Sequence, residues 1–143
     1  MQQDRNTCTG RVTQTVTMEC VDAVGQVMAL VAELGYQPAD PYAATATFRT
    51  PGGDVVWTFA RDLLSHGMTA PAGEGDVHVW PCLDTFGRAV VIIELRSPDG
   101  ELLVQAPSSD IATFVDKSLA LVPTGDEGEH VDVDALIGQL LSL

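Results

Sequence analysis

Two runs of β-branched and aromatic residues, separated by a short turn, constrain the fold more than any other feature of the chain. Ala43 to Thr50 (AATATFRT) and Val55 to Arg61 (VVWTFAR) flank Pro51-Gly52-Gly53-Asp54. Such side chains suit a pleated strand, and glycine accepts the positive φ that a tight turn needs. The segment therefore predicts a β-hairpin. Bulky residues alternate with small or polar residues along each run, so we expect the aromatic face to meet the core.

A second hairpin is predicted further along the chain. Arg88 to Arg96 (RAVVIIELR) and Glu101 to Ala106 (ELLVQA) flank Ser97-Pro98-Asp99-Gly100, a combination typical of turns. The apolar run inside the first segment is long enough to be covered on both faces of a sheet. We therefore expect this hairpin to be central.

Three further segments are candidate strands. Val12 to Val21 and Val77 to Leu83 show a period of two residues. Ala23 to Tyr36 is ambiguous, because its apolar residues recur at helical spacing and many of them are good helix formers. A strand is preferred over about Val27 to Tyr36, because a hairpin with the first strand would close through Asp22 to Gly25 and cover an open edge.

A short helical element is expected directly after the first hairpin. Asp62 to Gly67 (DLLSHG) predicts a helical turn or a bent strand end, with Asp62 as a possible cap and glycine as the stop. Either form would carry Leu63 and Leu64 inward.

Two helices are expected near the C-terminus. The first spans about Asp110 to Leu121, is capped by Ser108 or Ser109 and places Ile111 and Phe114 on its apolar face. The second covers about Asp132 to Leu141. Its buried side would consist of apolar residues at helical spacing, namely Leu136, Ile137, Leu140 and Leu141. The acidic stretch between them, Thr124 to Val133, is expected to be a solvated loop.

These segments predict an α+β fold of about seven antiparallel strands curled toward a barrel, with two C-terminal helices. The length of 143 residues suits one domain. We place that domain at residues 12–143. Met1 to Arg11 is polar and aperiodic, and is expected to be a flexible arm.

Charge and residue spacing argue against several classes of function. The net charge of −13 repels phosphate backbones, so nucleic acid is not an expected partner. The three cysteines form no CxxC pair and the three histidines lie far apart, so neither a disulfide framework nor a metal site is expected. Asp62, Ser65 and His66 lie on one turn and cannot form a catalytic triad. We expect no catalysis and no cofactor.

The two tryptophans are predicted to differ. Trp57 shares the aromatic face of its strand with Phe59 and is expected in the core. Trp80 alternates away from Val77 and Val79, and is expected either in the core or in an interface, where aromatic residues are enriched.

Three strings of residues, in this order and at these intervals, resemble the SsgA-like proteins of sporulating actinobacteria. They are DPYAATATF (Asp40 to Phe48), VVWTFARDLL (Val55 to Leu64) and GEGDVHVWP (Gly73 to Pro81). The second and third are most similar to the SsgB branch. The resemblance covers roughly Thr15 to Leu141. An extra N-terminal arm, and the lack of prolines before the string AELGY, depart from the family pattern and leave the paralogue open.

The resemblance implies a Whirly-like fold with a strand at residues 27–36, and a homotrimer. It implies no catalysis: SsgB-type proteins are adaptors that position the division GTPase FtsZ and promote its polymerisation at septa during sporulation, together with an SsgA-type paralogue and membrane-associated partners. The expected location is therefore the cytoplasm at the division septum, with membrane contact only through partners. The motif positions carried over as family markers and possible interface residues are Asp40, Pro41, Tyr42, Trp57, Phe59, Arg61, Asp62, Leu63, Leu64, Gly75, Asp76, Val79, Trp80 and Pro81.

Two other functions stay open at this point. A single-stranded nucleic-acid-binding module on the same Whirly-like scaffold would be marked by a basic sheet face. A small-molecule binder would be marked by a large pocket inside the barrel.

Overall fold

The computed structural model describes residues 10–21, 26–131, 137–138 and 140–141. Its strands are β1 (Val12–Val21), β2 (Val27–Tyr36), β3 (Ala43–Thr50), β4 (Gly53–Ala60), β5 (Val77–Leu83), β6 (Ala89–Ser97) and β7 (Gly100–Pro107). The α-helices are α1 (Arg61–Gly67) and α2 (Ser108–Leu121). The strands form one antiparallel half-barrel in the order β4-β3-β2-β1-β7-β6-β5. The predicted fold class is confirmed.

Both predicted hairpins are present, with tighter turns than expected. Thr50 pairs with Gly53, so only Pro51 and Gly52 lie outside the ladder, and Gly53 takes a positive φ of 118°. Ser97 pairs with Gly100 in the same manner. Residues 90–93 are buried on both faces, as predicted. The expected central position of the second hairpin was wrong, because β1 pairs with both β2 and β7 and takes the middle of the sheet.

The ambiguous segment is a strand. β2 pairs with β1 over its whole length, from Val12 opposite Tyr36 to Val21 opposite Val27. Pairing on both sides overrides the helical spacing of its side chains, because each strand neighbour uses its backbone groups. The predicted turn at residues 22–25 lies outside the described residues.

The two halves of the sheet are joined by a short ladder. β1 and β7 pair at Glu19 with Gln105 and at Cys20 with Val104. All other strand pairs in the sheet follow one another along the chain as hairpins or meander neighbours. The junction between β1 and β7 is therefore the long-range pairing of the sheet.

One face of the sheet forms the core. Val16, Ala32 and Phe48 lie side by side on three strands and are buried. α2 covers this face by packing against β1, β6 and β7, and α1 packs against β5 and α2. The opposite, outer face carries threonines and charged residues, as the row Thr15, Glu33 and Thr47 shows.

Neither helix has the side-chain cap that was predicted. α1 begins at Arg61, one residue before Asp62, and α2 begins at Ser108 directly after β7, with no side-chain cap hydrogen bond at either start. Pro107, which cannot continue a ladder as a donor, ends β7 and leads into α2. Leu64 is buried and Leu63 half-buried, as predicted.

Two expectations for the C-terminal region need correction. The stretch predicted to be a solvated loop contains a 3-10 helix, Glu127–His130, in which Glu127 is buried. The predicted final helix lies largely outside the described residues. The four described there, 137–138 and 140–141, are helical, but Ile137, Leu140 and Leu141 are exposed rather than buried. Most of the predicted N-terminal arm, residues 1–9, also lies outside the described residues.

Candidate interaction surface

A buried arginine holds together the end of the molecule that carries the motif residues Pro41 and Tyr42. The side chain of Arg61 is only 2% exposed. It donates hydrogen bonds to the carbonyl oxygens of Ser118 (3.2 Å) and Val122 (2.8 Å), and to the carboxylate of Glu127 (2.9 Å). Its guanidinium also lies over the ring of Tyr36, 4.7 Å from the centroid. The five-donor fork of arginine allows one side chain to satisfy all these acceptors.

The Arg61 clamp, defined as Arg61 with Tyr36, Ser118, Val122 and Glu127, is electrostatically balanced. Backbone N–H groups of Glu127 and Gly125, and then Arg61, hold the pKa of the Glu127 carboxyl below its ordinary value. Burial raises the pKa of the Tyr36 hydroxyl, and Arg61 opposes that rise. Glu127 is therefore held as an anion and Tyr36 as a neutral donor.

The clamp fixes the turn between β2 and β3. The Tyr36 hydroxyl donates to the carbonyl of Pro41 (2.8 Å), and the Arg61 backbone N–H donates to the carbonyl of Tyr42 (2.8 Å). Pro41 is buried, whereas the Tyr42 side chain is 56% exposed and lies beside Gly128. A rigid backbone thus presents an exposed aromatic ring.

The other motif positions separate into packing residues and surface residues. Phe59, Leu64 and Val79 are buried, and Trp57, Leu63, Trp80 and Pro81 are half-buried. Asp40, Asp62, Gly75 and Asp76 are exposed. The structure brings Pro41, Tyr42 and Arg61 together at the clamp, and places Asp76 at the opposite end of the sheet, where its carbonyl accepts from the Arg96 N–H (2.8 Å).

The tryptophans lie on different faces, and Trp80 lies on the opposite face from Val77 and Val79, as alternation predicted. Trp57 is on the core face of β4, opposite Ala46, and packs against the core from a half-buried position. Trp80 is on the outer face of β5, opposite Ile92, and is also half-buried. Tyr42, one of the motif positions carried over as possible interface residues, is more exposed than either tryptophan.

Glu127 is the member of the clamp that sequence reasoning missed. Its partner Arg61 lies 66 residues earlier, and an acidic stretch rich in glycine is ordinarily solvated. An arginine inside a largely apolar string, VVWTFARDLL, is the one available signal, because a buried guanidinium needs an anion.

Cations are scarce and mostly paired. Among the described residues, Arg49, Arg61, Arg88 and Arg96 each form an ion pair with a carboxylate. The described residues contain no group of three or more histidine, cysteine, aspartate or glutamate side chains placed to hold a metal ion. No helix within the described parts is long and apolar enough to cross a membrane.

The outer face carries an open groove of about 380 Å³. Glu19, Ala29 and Gln105 form its floor, and the ion pair between Arg88 and Asp84 borders it. Backbone and side-chain N–H groups of Arg88 and the N–H of Phe86 hold the pKa of Asp84 below its ordinary value. This groove lies outside the barrel, so it does not match the internal pocket that a small-molecule binder would show.

Comparison with known proteins identifies close relatives. The family model described as Streptomyces sporulation and cell division protein, SsgA, matches residues 30–127. A curated relative from Kineococcus radiotolerans, named sporulation-specific cell division protein SsgB, is 48% identical over 82% of this chain and 72% of its own length.

Two solved structures share the fold. One, reported with mutations in SsgB that correlate with longitudinal cell division during sporulation of Streptomyces coelicolor, superimposes with a TM-score of 0.80 at 41% identity. It covers 85% of this chain and 95% of the other. The second, an SsgA-like sporulation-specific cell division protein from Thermobifida fusca, has a TM-score of 0.82 at 34% identity, covering 92% and 96% of the two chains.

Proposed function

The chain belongs to the SsgA family of sporulation and cell division proteins, and from that premise we propose that it is a non-enzymatic adaptor that positions FtsZ and promotes its polymerisation at septum sites during sporulation-specific cell division. It works in the cytoplasm at the division septum, beside an SsgA-type paralogue, and reaches the membrane only through partners. The observation that supports a binding surface is the exposed ring of Tyr42, on a backbone that hydrogen bonds hold in place.

Pre-organisation is the reason for choosing Tyr42. Ordering a mobile side chain or loop on binding costs free energy, so an anchor whose backbone is already fixed binds more tightly. Two buried groups, the Tyr36 hydroxyl and the Arg61 N–H, fix the carbonyls of Pro41 and Tyr42. Tyrosine is also among the residue types enriched in binding hot spots.

Charge sets the mode of binding. The net charge is −13, and FtsZ is itself expected to be acidic, so long-range attraction does not drive the encounter. Local packing around an aromatic anchor must supply the affinity. Because added salt screens repulsion between two acidic surfaces, binding is expected to hold or strengthen between about 50 and 200 mM salt.

Oligomerisation is part of the proposal. The outer face of the half-barrel carries the half-buried Trp80, an aromatic of the kind enriched in interfaces, and the Whirly-like resemblance suggests a homotrimer. Light scattering of the purified protein tests this: a monomer of 15.2 kDa at micromolar concentration would refute it. Comparing the wild type with Trp80→Ala tells whether the outer-face tryptophan lies in the contact.

The nucleic-acid-binding alternative has no observation in its favour. Binding single strands uses a groove of unpaired cations and the release of counterions. Four of the arginines in the described residues are already paired with carboxylates. Retention of a labelled oligonucleotide at micromolar concentration, weakening steeply with salt, would restore this alternative.

Co-sedimentation with FtsZ and GTP tests the adaptor proposal. Wild-type protein should pellet with FtsZ polymers at every salt concentration in that range, and Tyr42→Ala should lower the pelleted fraction several-fold. Phe86→Ala is the matched control, because Phe86 is an exposed aromatic (80%) outside the motifs, on the turn between β5 and β6.

The outcomes separate the partner from the surface. No pelleting of the wild type at any salt concentration would remove FtsZ as the partner. An equal fall in the pelleted fraction of both variants would show that Tyr42 has no special role in binding. Binding that collapses as salt rises would remove the apolar mode and leave the partner in place.

A further inference from the structure

The two edge strands of the sheet differ in whether their backbone groups are covered. In the ladder between β3 and β4, Thr50 and Gly53 close the hairpin, and Arg61 still donates to Tyr42 at its far end. Since hydrogen-bonded pairs alternate along an antiparallel ladder, the N–H and C=O groups of Asp54, Val56 and Thr58 point away from β3. Within the described part of the chain, these outward groups have no hydrogen-bond partner.

The opposite edge is protected. Val79 on β5 points its backbone groups outward, and both are bonded to Ala72, with N···O distances of 2.8 and 2.9 Å. Pro81, two residues further, has no N–H to offer. These are devices by which proteins prevent a further strand from adding to an edge. β4 has neither of them: it is eight residues long, contains no proline, lysine or arginine, and its outward residues are exposed.

An apolar groove borders the open edge. It has a volume of about 300 Å³ and lies between Val55 and Trp57 of β4 and Leu95 and Leu102 of the β6–β7 hairpin. Val55 and Trp57 are on the core face of β4. Every second side chain of a strand added to β4 would therefore lie beside them, while the residues between would face solvent on the outer side.

The charge around the groove determines which kind of segment can bind there. Asp99 and Glu101 line it, and Asp54 stands at the start of the edge. Arg49 and Arg96 are nearby, but each is already in contact with two carboxylates. The net charge around the groove is therefore negative, as it is for the whole chain. A second copy of this chain would bring the same sign of charge, whereas a basic segment of another protein is attracted.

We propose that the open edge of β4 and the adjoining groove form a docking site for an extended segment of a partner protein, with apolar residues at alternate positions and lysine or arginine at its ends. The segment adds as an eighth strand. Main-chain hydrogen bonds to Asp54, Val56 and Thr58 supply affinity, and the groove selects the side chains and so sets the register. This site is separate from Tyr42 and does not depend on FtsZ being the partner.

A synthetic peptide tests the proposal without knowledge of the partner. The probe is fluorescein-labelled Lys-Lys-Val-Thr-Val-Thr-Val-Lys, titrated with the full chain by fluorescence anisotropy. Saturable binding is expected, weakening as salt rises. Val56→Pro removes one outward N–H while leaving the ladder to β3 intact, and should weaken binding about tenfold or more. The matched control is Val56→Ala, which keeps that N–H and should change binding less than about threefold.

N-methylated peptides give a test that only strand addition passes. One version carries methyl groups on the valine amides and the other on the threonine amides. Only one set of amides faces β4, so one version should lose binding and the other should keep it. Replacing the lysines by glutamates should abolish binding of the unmethylated peptide.

Several results would overturn the docking site. These are no saturable binding by the wild type, equal effects of the two Val56 variants, or equal loss with both methylated peptides. The melting temperature of Val56→Pro is measured alongside. If that variant does not fold, Thr58→Pro takes its place, since Thr58 also points its N–H outward.

Discussion

Within residues 53–67 the chain passes from the open edge of β4 to the buried Arg61 clamp. At Val56 the outward backbone groups face solvent and the side chain is 60% exposed. Five residues later Arg61 is buried and has four acceptors or aromatic contacts. Both places lie inside the motif string VVWTFARDLL. A motif that marks a family therefore combines residues that hold the fold with an edge that is free to bind.

The largest expected effect is a loss of stability when the buried Arg61 clamp is broken. Arg61→Leu removes one donor from the carbonyls of Ser118 and Val122 and leaves the buried Glu127 carboxylate without its counter-charge, which is among the most damaging changes a core can undergo. We expect the melting temperature to fall by about 10 °C or more. The control is Arg88→Leu, because the Arg88 side chain in the ion pair with Asp84 is largely solvent-exposed. This variant should lower the melting temperature by about 2 °C or less. Equal falls in melting temperature for the two variants would show that the buried ion pair matters no more to stability than the exposed one.

A smaller effect is expected where α1 approaches the covered edge. A Cβ added at Gly67 would stand 2.3 Å from Cγ1 of Val79, so Gly67→Ala should push α1 away from β5 and lower the stability by about 1 to 3 kcal/mol. Gly75→Ala is the control, because a Cβ there meets nothing within 4 Å. Urea unfolding measures both. A Gly67 variant as stable as the wild type would show that this edge is less tightly covered than the distances indicate.

The pH dependence of stability tests how much the ionised Glu127 carboxylate contributes to the folded state. Its folded-state pKa lies below the ordinary value of 4.5, so its contribution to stability is present above that pH and is lost as the pH falls through the folded-state pKa. We expect Glu127→Gln to melt lower than the wild type at neutral pH and to lose less stability between about pH 6 and about pH 3. Glu74→Gln, in an exposed loop, should follow the wild type throughout.

The smallest effect is expected at the open edge itself. Val56→Ala removes two methyl groups from an exposed side chain, so the free energy of unfolding should change by less than about 1 kcal/mol. Thermal melting checks this. A fall comparable to that of Gly67→Ala would mean that the edge is already covered in solution.

Alternation along the chain predicted β1, β3, β4 and β5, because each side of a half-buried strand has its own chemistry. Turn residues and an apolar run predicted β6 and β7, whereas β2 has helical spacing and was preferred as a strand because it would close a hairpin with β1. Alternation also placed Trp80 on the opposite face of β5 from Val77 and Val79. Alternation could not predict that β4 ends before Arg61. In sequence this residue follows on from the strand pattern, but in the structure its side chain joins a cluster with α2 and residue 127. The exposure of Ile137 and Leu140 was missed for a related reason: a helical apolar pattern shows that a face exists, not what covers it.

The short ladder between β1 and β7 bears on how the chain reaches this structure. The β1–β2, β2–β3, β3–β4, β5–β6 and β6–β7 pairings join neighbours in sequence, whereas Glu19 and Gln105 meet across most of the domain. Closing such a long loop is entropically costly, and contacts of that separation slow the search for the native state. We therefore expect the two groups of strands to form first as local units, and their joining at β1 and β7 to limit the rate of folding.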